Sequence, residues 1–458
     1  MNLLPAILSV FAPAPPAAEP LRDPAEISTQ YRYWQRRILF STIVGYAMFY
    51  FVRKNLSVAM PGMGHDLGIG KADLGLFLTL HGVLYGISKF ANGFLGDHAN
   101  ARTFMAAGLL LSAVVNIFFG FSSTVLALGL LWMLNGWVQG MGFPPCARLM
   151  AHWFPPKTLA TYFTVWNTSH SIGAGLVVVL CGYLAPHGWR LCFFVPAGLA
   201  IVASGFLLVS LRDTPPSLGL PEVEGTHSQP SKDSGSNAQQ LWRVLANPYI
   251  WLVAMGSFFI YIVRYAMLDW GPTLLTETKH VKLAHAGWMV AAFETSGVAG
   301  MLVSGWLTDR FFGGRGARVC VFYMLLTALA VFLFWKLPEN LVWLSTPLMC
   351  MAGFFLYGPQ ALVGVVTANL ATKRFAASAI GFTSIFSYAS TLVSGWGLGW
   401  LVEHYGWNAA LGALTGVGLA SAAMFGLVWP AKAHGYAEPP AQTPGASKGE
   451  PQASLNQS

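Results

Sequence analysis

Gly45-Tyr46-Ala47-Met48-Phe49-Tyr50-Phe51-Val52-Arg53-Lys54-Asn55 runs through the apolar stretch 38–60, and Tyr261-Ile262-Val263-Arg264-Tyr265 runs through the apolar stretch 247–272. A charge at the centre of a membrane helix costs about 2.5–3.5 kcal/mol on insertion scales, so such a residue is expected to face a cavity and serve a function. Each arginine follows a tyrosine by three positions, Tyr50 and Tyr261, and Arg264 follows Arg53 by 211 positions. The two stretches predict related halves that share a site for a small, doubly charged anion.

Composition supports the membrane reading. The 458 residues are 55% hydrophobic and only 10% charged, with mean hydropathy +0.53, whereas soluble domains are about 25% charged. The apolar runs are continuous and long enough for helices, which need about 20 residues to cross a bilayer; a barrel would show short alternating segments instead. We place twelve spans at 38–60, 74–95, 104–122, 124–150, 160–185, 190–210, 247–272, 284–308, 317–338, 341–369, 376–402 and 409–430. The net charge of +8 then has a topological origin rather than pointing to nucleic acid. With the amino terminus inside, the cytoplasmic side holds 17 of the 26 Lys and Arg residues, the outer side 5, and the spans themselves 4. This asymmetry predicts a multi-pass protein of a bacterial inner membrane with both termini cytoplasmic. The basic cluster Arg32, Arg36, Arg37 immediately precedes the first span, and the start of the chain has no basic flank, so no cleaved signal is expected. The five Cys residues are scattered through the spans and read as buried thiols.

The plan is a cytoplasmic segment (1–37), a six-helix half (38–210), a polar linker (211–246), a second six-helix half (247–430) and a polar tail (431–458). The halves echo each other. Asp97 with Arg102 follows span two, and Asp309 with Arg310 follows span eight, at an offset of 212. Gly188-Trp189 matches Gly406-Trp407 at 218, and Pro145 matches Pro359 at 214. Parallel six-span repeats are the plan of the major facilitator superfamily, and the Gly-x-x-x-Asp loops resemble its signature, with His98 departing from it in the first copy. The expected fold is an all-α membrane protein, a major facilitator fold of twelve transmembrane helices in two pseudo-symmetric halves. Asp97, Arg102, Asp309 and Arg310 are expected to form an ion-pair latch on the cytoplasmic side.

The charges inside the spans are Arg53, Lys54, Lys89, Arg264, Asp269 and Glu294. Pairing Lys54 with Asp269 and Lys89 with Glu294 leaves two free arginines. A phosphate monoester carries about −1.5 to −2 at neutral pH, and the planar guanidinium fork suits its oxygens better than an ammonium does. His170, in Trp166-Asn167-Thr168-Ser169-His170, is a candidate third donor; Trp166 and Asn167 are grouped with it. Tyr46, Tyr50, Tyr261, Tyr357 and Tyr388 are candidate wall residues, the first three by helical spacing from the arginines. His81 reads as structural. No nucleotide loop, metal spacing, nucleophile elbow or paired catalytic carboxylates is found, so neither enzyme activity nor a cofactor or metal is expected.

Several long blocks, in order from Tyr31 to Trp407, resemble the organophosphate:phosphate antiporter family, which includes glycerol-3-phosphate and hexose-6-phosphate transporters and a hexose-phosphate sensor. They include Gly45 through Lys54, Tyr85-Gly86-Ile87-Ser88-Lys89-Phe90, Gln139-Gly140-Met141-Gly142-Phe143-Pro144-Pro145, Val165 through His170, Arg212-Asp213-Thr214-Pro215, Leu268-Asp269-Trp270 and Tyr357-Gly358-Pro359. The resemblance implies an exchanger that binds phosphate through Arg53 and Arg264, with His170, Lys89, Tyr50 and Tyr261 at matching site positions and the halves rocking about them. Where the hexose-phosphate transporter branch has an Asp and a Lys in span eleven, this chain has Ile380 and Thr383. Tyr31-Arg32-Tyr33-Trp34, Ala147-Arg148-Leu149, Asn247-Pro248-Tyr249-Ile250-Trp251 and Gly395-Trp396 look more like the sensor branch. The expected function is therefore exchange of an organophosphate for phosphate by a monomer, with a sensor partnered by a membrane histidine kinase as the alternative, and a proton-coupled carrier of another organic anion as a third.

Overall fold

The computed structural model describes residues 11–97, 99–155, 162, 163, 165–223, 246–371 and 376–431. Most of the expected linker and nearly all of the tail lie outside the described residues. The helices are α1 (Pro24–Phe51), α2 (Asn55–Leu67), α3 (Lys71–Asp97), α4 (Ala101–Phe121), α5 (Val125–Gln139), α6 (Phe143–Trp153), α7 (Ser169–Leu184), α8 (Leu191–Ser210), α9 (Pro248–Asp269), α10 (Gly271–Lys279), α11 (Leu283–Phe311), α12 (Gly316–Lys336), α13 (Ser345–Leu370), α14 (Ala376–Ala389) and α15 (Leu398–Leu427).

Among the described residues, nine helical runs are long and apolar enough to cross a membrane. The last of them, Ala379–Leu427, has 49 residues, a length of about 73 Å if straight, and no bilayer needs that. Gly406, at φ 74°, breaks it into spans eleven and twelve; only glycine takes that conformation without strain. The first span, α1 with α2, and the second, α3, complete the twelve. Local chemistry sets the helix starts. Asp23 caps α1, Asn100 caps α4, Thr124 caps α5 and Asn247 caps α9, each accepting from a backbone N–H two or three residues on, with Pro24 and Pro248 in first-turn positions.

Span one is interrupted at Val52–Lys54, between α1 and α2. Bilayer interiors offer no water to carbonyls freed by such a break. Here side-chain amides replace it: Asn116 and Asn135 both donate to the Val52 carbonyl, at 3.0 and 2.8 Å, and Gln139 donates to the Phe49 carbonyl at 3.0 Å. Asn55 donates in turn to Asn116 and to the Cys192 carbonyl. The repeat is not strict. Pro145 stands in the first turn of α6, after a break in span four, whereas Pro359 lies inside the continuous α13.

The halves meet at the end of the fold remote from the termini. Lys71 pairs with Glu277 at 3.2 Å, Glu403 accepts from the Ala72 N–H at 2.7 Å, and Thr79 donates to the Thr391 carbonyl at 2.8 Å. Span eleven carries a π turn over Leu392–Gly397 at this contact. There Gly75 lies so close that a Cβ on it would stand 2.4 Å from the Gly395 carbonyl oxygen. Only a bare backbone allows the helices to approach this far.

Candidate functional site

Arg53 and Arg264 share one cavity of about 440 Å³, which is also lined by Tyr46, Tyr50, Lys89, Asn167, His170, Tyr261 and Tyr388. The break after α1 puts Arg53 where the helix wall ends. Arg264 remains within α9, only 6% exposed. The cavity extends from the arginines toward the end bearing the termini. Tyr46 precedes Arg53 on α1, Lys89 lies late on α3, Gln360 and Gly364 lie late on α13, and Ile380, Thr383 and Ser384 lie early on α14. All these segments belong to the halves of their helices nearer the termini, and the contacts of Lys71, Ala72, Gly75 and Thr79 with the second half close the opposite end.

Each guanidinium lies against tyrosine rings rather than a carboxylate. Arg53 is 4.0 Å from the Tyr85 ring centroid and 5.4 Å from that of Tyr50. Arg264 is 4.9 Å from Tyr357, 5.8 Å from Tyr261 and 5.9 Å from Tyr265. Such contacts hold a cation in place without neutralising it. Neither arginine makes an ion pair among the described residues. Lys54, beside Arg53, is not part of the cavity lining and pairs with Asp269.

The second expected pairing is corrected by the structure. Lys89 does not reach Glu294; its ammonium donates to the Tyr388 hydroxyl at 3.1 Å and sits 4.1 Å from the Phe143 ring. Glu294 is fully buried behind the wall, accepts from the Tyr357 hydroxyl at 2.5 Å, and leaves Oε2 without a hydrogen-bond partner among the described residues. The two groups lie at different depths, so opposite charge alone does not bring them together. The cavity region still holds an excess of positive charge, three cations (Arg53, Lys89, Arg264) against one carboxylate.

Trp166 and Tyr357, expected at the substrate surface, are also relocated. Both are fully buried and stand behind the lining. Trp166 packs against Tyr46 at 4.8 Å, and Tyr357 lies between Arg264 and Glu294. They shape the wall instead of facing the cavity. His170 does line it, with Nδ1 3.0 Å from the Ser171 hydroxyl and its ring 5.9 Å from Tyr50. His81 is buried against Trp132, as a structural histidine would be.

With this geometry in hand, comparison with known proteins is specific. A profile of the Major Facilitator Superfamily matches residues 42–395. The probable hexose phosphate transport protein of Chlamydia pneumoniae is 39% identical over 87% of this chain and 92% of its own length. The membrane sensor protein UhpC of Escherichia coli strain K12 is 36% identical over 87% and 93%. The glycerol-3-phosphate transporter of Bacillus subtilis strain 168 is 34% identical over 92% and 98%. The chain belongs to the sugar phosphate and glycerol-3-phosphate transporter family of the major facilitator superfamily. It is thus a multi-pass membrane protein from a transporter family and not an enzyme.

In this major facilitator the expected ion-pair latch near the termini is not made by the side chains described. Asp97 ends α3, but its side chain lies outside the described set. Asp309 and Arg310 are exposed, and they and Arg102 make no ion pair among the described residues. The fastening in the first half is different. Asp213, at the start of the linker, is buried and accepts from Arg148 at 3.4 Å and from the Ala101 and Ala14 N–H groups at 2.9 and 3.1 Å. Arg148 also donates to the Gly96 and Ala99 carbonyls. Both residues stand in blocks that resemble the family, but no charge count singled them out.

Sequence reasoning also missed Tyr85, Tyr265 and Gln360. Tyr85 lies one helical turn from Lys89, which put it on the cavity face, and Tyr265 adjoins Arg264. Gln360 borders the cavity with its Oε1 unpartnered among the described residues. Nothing distinguishes such a glutamine in the sequence from one that packs against lipid or a neighbouring helix.

Proposed function

We propose that the protein is an inner-membrane antiporter exchanging an organophosphate of the hexose-6-phosphate or glycerol-3-phosphate class for inorganic phosphate. The observation that carries this reading is that Arg53 and Arg264, one from each half, border a single cavity with no carboxylate ion-paired to either among the described residues. A dianionic phosphate bridging them would supply the missing negative charge and draw the halves together. Lys89, His170, Tyr50, Tyr261 and Asn167 extend the donor set around it. The cavity opens toward the side that holds the termini, which the charge asymmetry assigns to the cytoplasm. Rocking of the halves would expose the same arginines to the other side. An empty cavity leaves its cations uncompensated, so closing around phosphate is easier than closing without it, and exchange should outrun uniport.

Beside apolar residues such as Phe143, Met301 and Ile380, the rest of the wall offers neutral polar groups on Ser257, Gln360, Thr383, Ser384 and Ser387. Hydroxyls and an amide suit the hydroxyl groups of a sugar or glycerol moiety. In the test, purified protein in liposomes loaded with labelled phosphate should release the label when glucose-6-phosphate or glycerol-3-phosphate is added outside. Vigorous uptake without internal phosphate would refute exchange.

A second reading is a sensor, supported by the relative named membrane sensor protein UhpC and by the neutral Ile380 and Thr383 in span eleven. Ligand would then shift the same two conformations, and a membrane histidine kinase would read the shift. Co-purification of such a kinase, with slow exchange in liposomes, would favour it.

A further inference from the structure

Away from the central cavity, the start of α1 carries a second concentration of positive charge. Thr29, Arg32, Tyr33, Arg36 and Arg37 line a groove of about 590 Å³ on the outer surface of the first half. Arg37 is held rigidly at the groove's edge. It donates to the Ser210 and Val209 carbonyls, each at 3.1 Å, and to the Tyr33 hydroxyl at 2.5 Å. Arg212 approaches from the end of α8, so that two guanidinium groups lie over one indole, Trp34, at 5.1 and 5.2 Å. Burial and the neighbouring Arg102 and Arg37 hold the Arg212 guanidinium below its ordinary pKa.

Nothing described neutralises this cluster. Arg32, Arg36, Arg37 and Arg212 make no ion pair among the described residues. Asp213 is engaged by Arg148, Glu222 acts on Tyr31, and Asp23 and Glu26, at the start of the same helix, are exposed and form no ion pair with these arginines among the described residues. Like charges collected around one ring are unfavourable unless an anion joins them. The chemistry of that anion is indicated by what lies one turn deeper. Phe40 is 60% exposed and packs edge-on against Phe206 at 6.4 Å, and Val209 is 66% exposed. In a membrane protein this apolar strip faces acyl chains, and the arginines stand at the level of headgroups.

We infer that this groove binds the phosphodiester headgroup of an anionic phospholipid in the leaflet on the termini side, with its acyl chains along Phe40 and Phe206. Basic pockets at the cytoplasmic ends of membrane helices suit such headgroups. The site would fasten span one to span six on the lipid-facing side, and it does not depend on what the central cavity carries.

The test uses full-length protein, stripped of lipid in neutral detergent and read by thermal unfolding and native mass spectrometry. Phosphatidylglycerol should raise the unfolding temperature and remain bound as adducts, and phosphatidylcholine should do neither. Arg32→Gln with Arg36→Gln should weaken apparent phosphatidylglycerol binding at least about ten-fold, while Arg32→Lys with Arg36→Lys should largely preserve it, because the attraction is mainly one of charge. If the double glutamine variant does not fold, Arg36→Gln alone is read the same way. Equal effects of the two lipids, or an undiminished phosphatidylglycerol effect in the glutamine variant, would overturn the assignment. A soluble occupant is separated by adding inorganic phosphate to an Arg53→Ala protein. A shift there that the Arg32 and Arg36 substitutions abolish would show a free anion in the groove, and the lipid assignment would fail.

Discussion

Lys54 and Asp269 form a buried ion pair that ties the first half of the chain to the second, next to Arg53 on one side and one turn beyond Arg264 on the other. The pair removes one cation and one anion from the neighbourhood of the cavity and leaves both arginines without an ion pair among the described residues. Breaking one partner of a buried pair strands the other, at a cost of about 3–5 kcal/mol. Lys54→Met and Asp269→Leu should each lower the unfolding temperature clearly, and the double variant should be closer to the parent than either single one. Additive losses in the double variant would show that the pair does not act as a unit.

The arginine geometry makes a different demand. If phosphate is held by two guanidinium forks, keeping the charge is not enough. Arg53→Lys and Arg264→Lys should each weaken phosphate binding by at least about ten-fold, or about 1.4 kcal/mol, because an ammonium cannot make the bidentate contact. Calorimetric titration with phosphate measures this; unchanged affinity in both variants would remove the arginines from the site.

The relocation of Glu294 predicts a negative result. Exchanging the charges in a Lys89→Glu, Glu294→Lys protein should not restore what the single changes lose, because the two groups do not meet. Removing only the hydroxyl that Glu294 accepts from, by Tyr357→Phe, should disturb phosphate affinity through Arg264. Recovery of binding in the charge-exchanged protein would mean that the two residues pair in a conformation other than this one.

At the closed end, Gly75→Ala would force a methyl group against the Gly395 carbonyl. The contact cannot persist without moving span two from span eleven. Distances between spin labels placed on the two halves at that end should lengthen and broaden, and a cysteine there should react faster with a water-soluble thiol reagent. An unchanged distance distribution would show that the packing yields locally.

Gln360 separates the two ligands of the proposed exchange. Gln360→Leu should weaken binding of the sugar or glycerol phosphate several-fold to ten-fold, on the scale of one lost hydrogen bond of about 1 kcal/mol, and leave inorganic phosphate nearly untouched. Equal loss for both ligands would place the glutamine in the phosphate subsite.

The twelve spans, the two halves, the shared position of Arg53 and Arg264 and the Lys54–Asp269 pair were all legible in the sequence, because each rests on apolar run length or on charge inside such a run. What was not legible depends on depth and facing. Lys89 and Glu294 balance on paper, but one sits near the termini side of the cavity and the other behind Tyr357. Trp166 adjoins Asn167 in sequence, yet a step of one residue around a helix turns the tryptophan into the core while the asparagine faces the cavity. The break at Val52–Lys54 was hidden for another reason. No proline or glycine marks it; its supports, Asn116, Asn135 and Gln139, come from spans three and four and read individually as ordinary buried polar residues.

That lattice of amides bears on how the protein is made. A span delivered to the bilayer alone would carry both an arginine and unanswered carbonyls at its interruption, and the groups that satisfy the carbonyls are translated some sixty to ninety residues later. The first span is therefore poorly suited to independent residence in lipid and becomes comfortable only when spans three and four arrive beside it. Loss of Asn116 or Asn135 should accordingly be felt first at the insertion machinery and the quality-control proteases, as low yield of the whole first half, before any effect on ligand handling could be observed.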